Sequence, residues 1–420
     1  MTRPAPDSPD VLRPGTRSAG YAPVILAGAL ALRIVLAVMA FLRCPPAIQI
    51  QGHSEMLGIA RSLVAGHGFA SPFFVNSGPT AFIPPGYPIL LAAIFQVFGL
   101  NGAALLIVAA LQLLCSILTV WLTMRLARRH FGVWTANVAG CLCGFSLALA
   151  VEPFWVWETC LSSLLFLGLL AALPDLRTKA HWAAGGAVTA IATLMNSALF
   201  PALFIAGVWQ AWRRRAIPWV GVLAFLLIYT PWPARNLAVM HAFIPFRSNF
   251  AYELWMGNHP GADGRFHHDL DPEENPQERA RFVALGELQY MKTKKEAAHD
   301  YIRTHPREFL SLTVRRVVEF WTTSSEGEWW LGAGFSALAF AGLVLLWRSH
   351  PGLRVYAVPL TVYPLPYYLT HADPRFRHMI DPLLALLAAH AIVVLARAAT
   401  ARAKAGQRQA DPVLEAVARG

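Results

Sequence analysis

The chain has 420 residues, of which 56% are hydrophobic and only 14% charged. That balance excludes an ordinary soluble domain and points to a polytopic membrane protein. The formal charge of +11 does not mark a nucleic-acid binder, because the arginines fall in short loops between apolar runs, where positive charge reports cytoplasmic orientation.

Residues 1–20 are rich in proline and arginine and read as a disordered tail. Apolar runs follow near 21–42, 102–124, 132–150, 156–173, 181–198, 199–212, 217–234, 329–347, 353–370 and 379–397. Most have the ~17–25 residues that cross a bilayer as a helix. The first is not followed by a clear cleavage site and reads as a retained span. The five cysteines, Cys44, Cys115, Cys141, Cys143 and Cys160, show no metal-ligand spacing beyond one C-x-C and read as small core residues.

The run PPGYPILLAAIFQVFG at 84–99 is near the lower length limit for a span, and charge parity decides its placement. Basic clusters lie at Arg125, Arg128 and Arg129, at Arg177 and Lys179, at Arg213, Arg214 and Arg215, at Arg348 and Arg354, and at Arg397, Arg402 and Lys404. All five are cytoplasmic together with Arg3, Arg13 and Arg17 only if 84–99 does not cross. It is therefore predicted to be an interfacial or re-entrant helix, leaving ten spans with both termini inside. The expected organisation is a cytoplasmic tail 1–20, a seven-span membrane module 21–234 including outer loop 43–101, and an extracytoplasmic segment 235–328. Three spans in 329–397 and a cytoplasmic tail 398–420 complete it. The turn 151–157 and the loop HADPRFRHMIDP at 371–382 also fall outside.

Within the first outer loop, Met56, Ile59, Ala60, Leu63 and Val64 recur at helical spacing. They predict an amphipathic helix suited to a membrane surface. Ser54 is the expected N-cap. Glu55 then opens the helix, where the helix dipole favours a carboxylate.

Carboxylates collect at the outer span boundaries: Glu55, Glu152, Glu158 and Glu253. An ionisable group near a span is a functional candidate, and Glu55 and Glu158 are the candidates for chemistry here. The blander roles are a helix cap or arginine partner for Glu158 and solvation for Glu152. Arg235, Arg247, Arg375 and Arg377 lie on the same side, and guanidinium groups hold phosphate in bidentate geometry. Their alternative is headgroup contact or ion pairing with Asp373 and Asp381. His53, His259, His267 and His268 form no metal-site spacing. No phosphate-binding glycine loop or H-E-x-x-H motif is present.

The order Glu55, IARSLVAGHGF, PPGYPILLA, FQVFG, TPWPARN and DPRFRHMIDP resembles the GT-C membrane glycosyltransferases of the protein O-mannosyltransferase and aminoarabinose-transferase group. The resemblance covers roughly residues 21–390. It implies an all-α polytopic fold with seven spans before a large extracytoplasmic segment. It also implies sugar transfer from a polyprenyl-phosphate carrier to an acceptor outside the membrane. This chain has Glu55 alone where many relatives have an Asp, and Ile83 where aminoarabinose-type relatives carry a Lys, which leaves carrier phosphate to the arginines.

The expected enzyme is an inverting glycosyltransferase of a bacterial inner membrane, active on the extracytoplasmic face. Glu55 would be the base, and Glu158 would orient hydroxyls. Arg235, with Arg247 or Arg375, would hold the phosphate, and Tyr87, Glu253 and Asn258 would line the substrate site. A metal is not required on this reading, although the carboxylates leave room for a divalent cation. The expected partners are a polyprenyl-phosphate-linked sugar and membrane lipids. The rival reading is a lipid or sugar transporter. Transporters often carry internal repeats and mid-membrane polar residues. Here no repeat is found and the charges lie at the outer rim.

Overall fold

Long apolar runs fold as helices because a helix satisfies its backbone polar groups internally, which hydrocarbon cannot do. The computed structural model describes residues 20–46, 54–215, 218–323 and 329–417. Among them, five helices are long and apolar enough to cross a membrane: Ala22–Arg43, Gly102–Phe131, Trp219–Met240, Trp329–Ser349 and Asp381–Ala405. A pair bent by 61°, Val133–Gly144 with Leu147–Phe154, counts as a sixth if it is one span. The protein is a multi-pass, all-helical membrane protein. Its bridge pairs among the described residues are the isolated Ala70–Pro79 and Arg265–Ala372.

The other apolar runs form shorter pieces. Thr159–Ala172, Lys179–Met195 and Leu199–Arg214 are helices of 14, 17 and 16 residues. The 353–370 run is not one helix. It breaks into a 3-10 turn Pro351–Tyr356 and the short helices Ala357–Val362 and Leu365–Leu369. Pro359, Pro364 and Pro366 each remove a backbone donor and crowd the preceding turn.

The last long helix is the mast of the bundle. Leu383, Leu384, Ala385, Leu386, Leu387, Ala388 and Ala389 are each at most 1% exposed. A helix apolar on all sides belongs inside a bundle. The first span carries one buried charge. Arg33 is fully buried, with Nε donating to Ser116 Oγ at 2.9 Å and Nη1 to the carbonyls of Gly144 at 2.7 Å and Ala29 at 3.1 Å.

Four segments far apart in sequence gather on one face of this bundle. The amide of Ser248 donates to the Ala81 carbonyl at 2.8 Å, tying the first loop to the segment after residue 240. Ala372 N donates to Gly264 O at 2.9 Å, adding the late loop. His378 Nδ1 lies 2.5 Å from Glu152 Oε1, adding the turn near residue 152. The charge-parity topology places these same segments on one side.

Candidate active site

Glu55 opens the helix Glu55–Val64, as the spacing predicts. Met56, Leu57, Ile59 and Ala60 are buried, but against protein rather than lipid, in a cluster with Phe73, Phe82, Tyr252 and Phe282. Gly58 permits this contact, since a Cβ there would lie 2.3 Å from the Pro72 carbonyl oxygen. Ser54 precedes the helix in extended conformation, yet its hydroxyl makes no cap bond. The helix is thus wedged into the outer assembly, and its first residue is fixed there.

Around Glu55 stand groups from two distant segments. Glu273 and Asp271 come from the loop after the 3-10 turn His268–Leu270, and Arg375 comes from the late loop. Burial, then the charges of Glu273 and Asp271, push the Glu55 carboxyl up to about 8. Burial, Asp271 and Glu274 push Glu273 up to about 7. Crowded carboxylates out of water favour the protonated form.

Arg375 is the hub of the cluster. Its guanidinium pairs with Asp373 at 3.2 Å and lies over the Trp157 ring at 4.3 Å from the centroid. Burial opposes its charge, but Asp373, Glu55, Glu158 and Glu253 outweigh that and hold its pKa above the usual arginine value. Arg247 also acts electrostatically on Glu158 and Glu253.

Glu158 immediately precedes the helix Thr159–Ala172 and accepts a 2.9 Å hydrogen bond from Asn196 Nδ2. Tyr87 is buried beside it, with a hydroxyl that has no partner. Glu253 lies on the helix Phe250–Met256, and its Oε1 accepts from Asn249 Nδ2 at 2.8 Å. Burial raises the Glu253 carboxyl, while Arg247 and Arg375 pull it down.

Five of the sequence candidates therefore form one electrostatically linked cluster: Glu55, Glu158, Glu253, Arg247 and Arg375. Tyr87 borders it at Glu158. Two candidates are engaged elsewhere. Arg235 donates to the carbonyls of Thr80 at 2.7 Å and Phe69 at 2.6 Å, stacks against Phe69 and Trp232, and faces Glu287. Asn258 is fully buried, bonds the carbonyls of Leu254 and Leu369, and accepts from Arg316 at 3.2 Å. Both tie loops to the bundle.

Asp271, Glu273 and His371 were not singled out from sequence. The acid-rich DLDPEEN stretch was a signal for the first two, but nothing local marks His371. His53 lies outside the described residues. His259, His267 and His268 gather with acids on the outer segment, His267 Nε2 lying 3.2 Å from Asp263 Oδ1 and His268 Nδ1 2.9 Å from Glu274 Oε1. Among the described residues, no three His, Cys, Asp or Glu side chains stand in a metal-holding arrangement.

The chain is similar to ArnT from Cupriavidus metallidurans bound to undecaprenyl phosphate, at 14% identity over 89% of this chain and 78% of that one, with a TM-score of 0.42. It is similar to the archaeal oligosaccharyltransferase AglB from Archaeoglobus fulgidus in complex with an inhibitory peptide and a dolichol-phosphate, at 14% identity over 92% of this chain and 52% of that one, TM-score 0.48. A third similarity is to the Archaeoglobus fulgidus oligosaccharyltransferase in complex with Zn and sulfate, at 14% identity over 88% and 49%, TM-score 0.49. The chain spans about half the length of the archaeal proteins. No protein-family model and no curated protein matches the sequence.

Proposed function

We propose that this protein is an inverting membrane glycosyltransferase that moves a sugar from a polyprenyl-phosphate carrier to an extracytoplasmic acceptor. The observation that carries the reading is Arg375, a guanidinium within the electrostatic reach of Glu55, Glu158 and Glu253. The ordered motifs noted in the sequence support the same reading.

Transfer from a lipid phosphate needs a base at the acceptor hydroxyl and a cation at the departing phosphate. Glu55 is the proposed base: it takes the hydroxyl proton as the acceptor oxygen bonds to the anomeric carbon. The anomeric C–O bond breaks with its electron pair going to the phosphate oxygen. Arg375 and Arg247 hold that growing negative charge. Arg235, with its donors already on backbone carbonyls, has a positioning role instead. Glu158, steadied by Asn196, and Glu253 orient sugar or acceptor hydroxyls, with Tyr87 beside Glu158. No step passes through a metal, since the arginines supply the positive charge, although the carboxylates leave room for a divalent cation.

The proposed organisation keeps the seven-span module 21–234, the extracytoplasmic segment 235–328 and the three spans of 329–397, with the Arg375 cluster on the extracytoplasmic face. The test is mass spectrometry of cell-envelope glycans and lipid-linked sugars from cells with and without the gene. Loss of one glycan modification together with build-up of its lipid-linked sugar is the expected result. An unchanged glycan profile with altered lipid distribution between leaflets would favour a transporter instead.

A further inference from the structure

His371 sits in the late loop, with its side chain 3% exposed. Among the described residues, neither ring nitrogen has a hydrogen-bond partner. The nearest acid, Glu253, places its second oxygen 3.4 Å from Nδ1, and that oxygen is unpartnered too. Buried polar atoms are nearly always paired in native proteins. Here two such atoms face each other with no bond made.

The groups around the ring come from every element packed on it. Arg375 lies four residues along the same loop, Arg247 precedes the helix Phe250–Met256, and Arg316 comes from the helix Pro306–Thr322. Phe266 and Phe376 flank the ring, each at a centroid distance of 5.2 Å. Among the described residues, Glu253 is the one carboxylate paired with it. Burial and the three arginines depress the imidazole to about 3, so it is neutral in the free protein. Two of those arginines, Arg247 and Arg375, are the proposed phosphate holders.

We propose that His371 is a proton-coupled partner of the carrier phosphate: it takes up a proton when a phosphate monoester is held at Arg247 and Arg375. This rests on the glycosyltransferase reading above. The phosphate charge offsets the field of two of the three arginines that add to burial in keeping the ring neutral. With a proton added, Nδ1–H donates to Oε2 of Glu253, 3.4 Å away, and Nε2–H is a second buried donor. In the reaction, the carrier passes from a singly charged phosphodiester to a monoester that can carry two charges. The proton that His371 gains balances the added negative charge. His371 thus acts through charge and steadies the product state.

The experiment is isothermal titration calorimetry of the full-length protein in nanodiscs with undecaprenyl phosphate, near pH 6.5, in two buffers of different ionisation enthalpy. The wild type should take up roughly half a proton or more per phosphate bound, beyond that of the phosphate's own titration. His371→Gln should bind the phosphate and lose most of that excess. Binding by the wild type with no uptake beyond the phosphate's own overturns the proposal, and so does full uptake retained in His371→Gln. The wild-type measurement stands alone if the variant fails to fold. Absence of any undecaprenyl phosphate binding would instead overturn the glycosyltransferase reading.

Discussion

The Arg375 guanidinium lies 4.3 Å from the centre of the Trp157 ring. Trp157 belongs to the turn before the helix Thr159–Ala172, and Arg375 to the loop before the last long helix. A cation this close to an indole is attracted by the negative face of the ring, while Nε pairs with Asp373 at 3.2 Å. A lysine could keep the charge but neither the plane nor the fork. We predict that Arg375→Lys lowers transfer by about ten- to a hundredfold and Arg375→Ala by more, with the loss mainly in kcat. Rates against lipid-linked sugar concentration in nanodiscs check this. Normal turnover in Arg375→Ala would pass the phosphate role to Arg247.

Glu55 gives a pH prediction. A base held up to about 8 is mostly protonated at neutral pH. For the free enzyme, kcat/KM should rise about tenfold per pH unit up to that region and then level off. Glu55→Gln should lose about 10²–10⁴ of the rate and remove this limb. A flat profile in the wild type would exclude Glu55 as the base.

The same group predicts a stability trend of defined sign. Its folded pKa is raised from an ordinary 4.5 to about 8. Between those values the folded protein binds more protons than the unfolded chain, so this contribution is present at low pH and lost as pH rises. Thermal unfolding in detergent should show the wild type losing stability between pH 5 and 9 relative to Glu55→Gln. Parallel curves for the two proteins would contradict the raised value.

Arg316 is fully buried and donates to the carbonyls of Gly257, Tyr368 and Leu369. It cements the outer segment to the late loop. Arg316→Met should cost on the order of 3 kcal/mol, since several carbonyls lose their donor at once. Gly257→Ala should be at least as damaging, because its Cβ would fall 1.6 Å from the Thr370 carbonyl oxygen. Midpoints of thermal unfolding, followed by intrinsic fluorescence, test both. An unchanged midpoint in Arg316→Met would mean that the contact carries no stability.

The helical class and the spans with clean apolar runs were legible because hydropathy acts locally. Glu55 and Glu158 were legible because each stands at a helix start next to an apolar run. The choice among arginines was not. Arg235 and Arg375 look alike in sequence, and only the fold shows that the first gives its donors to Phe69 and Thr80. His371 and Glu273 acquire meaning from contacts across more than a hundred residues, which no local pattern reports. The predicted stripe of 56–64 is only partly what is buried: Met56, Ile59 and Ala60 are covered, but so are Leu57, Gly58 and Ser62, while Leu63 and Val64 are half-buried, and the cover includes Phe73, Phe82 and Phe282. Periodicity gives the face and not what covers it.

Arg33 carries a consequence for how the chain is made. It stands midway along the first span, where an arginine costs roughly 2.5–3.5 kcal/mol to insert. Its Ser116 acceptor is synthesised 83 residues later, and its Gly144 acceptor 111 residues later. Until then the newly inserted segment has only the Ala29 carbonyl of its own helix for that side chain. We predict that insertion is ordered, with this helix settling only when the helices that carry Ser116 and Gly144 arrive. Insertion assays on nascent chains ended before and after residue 144 read this dependence directly, and equal membrane retention of the two lengths would show that the first helix settles alone.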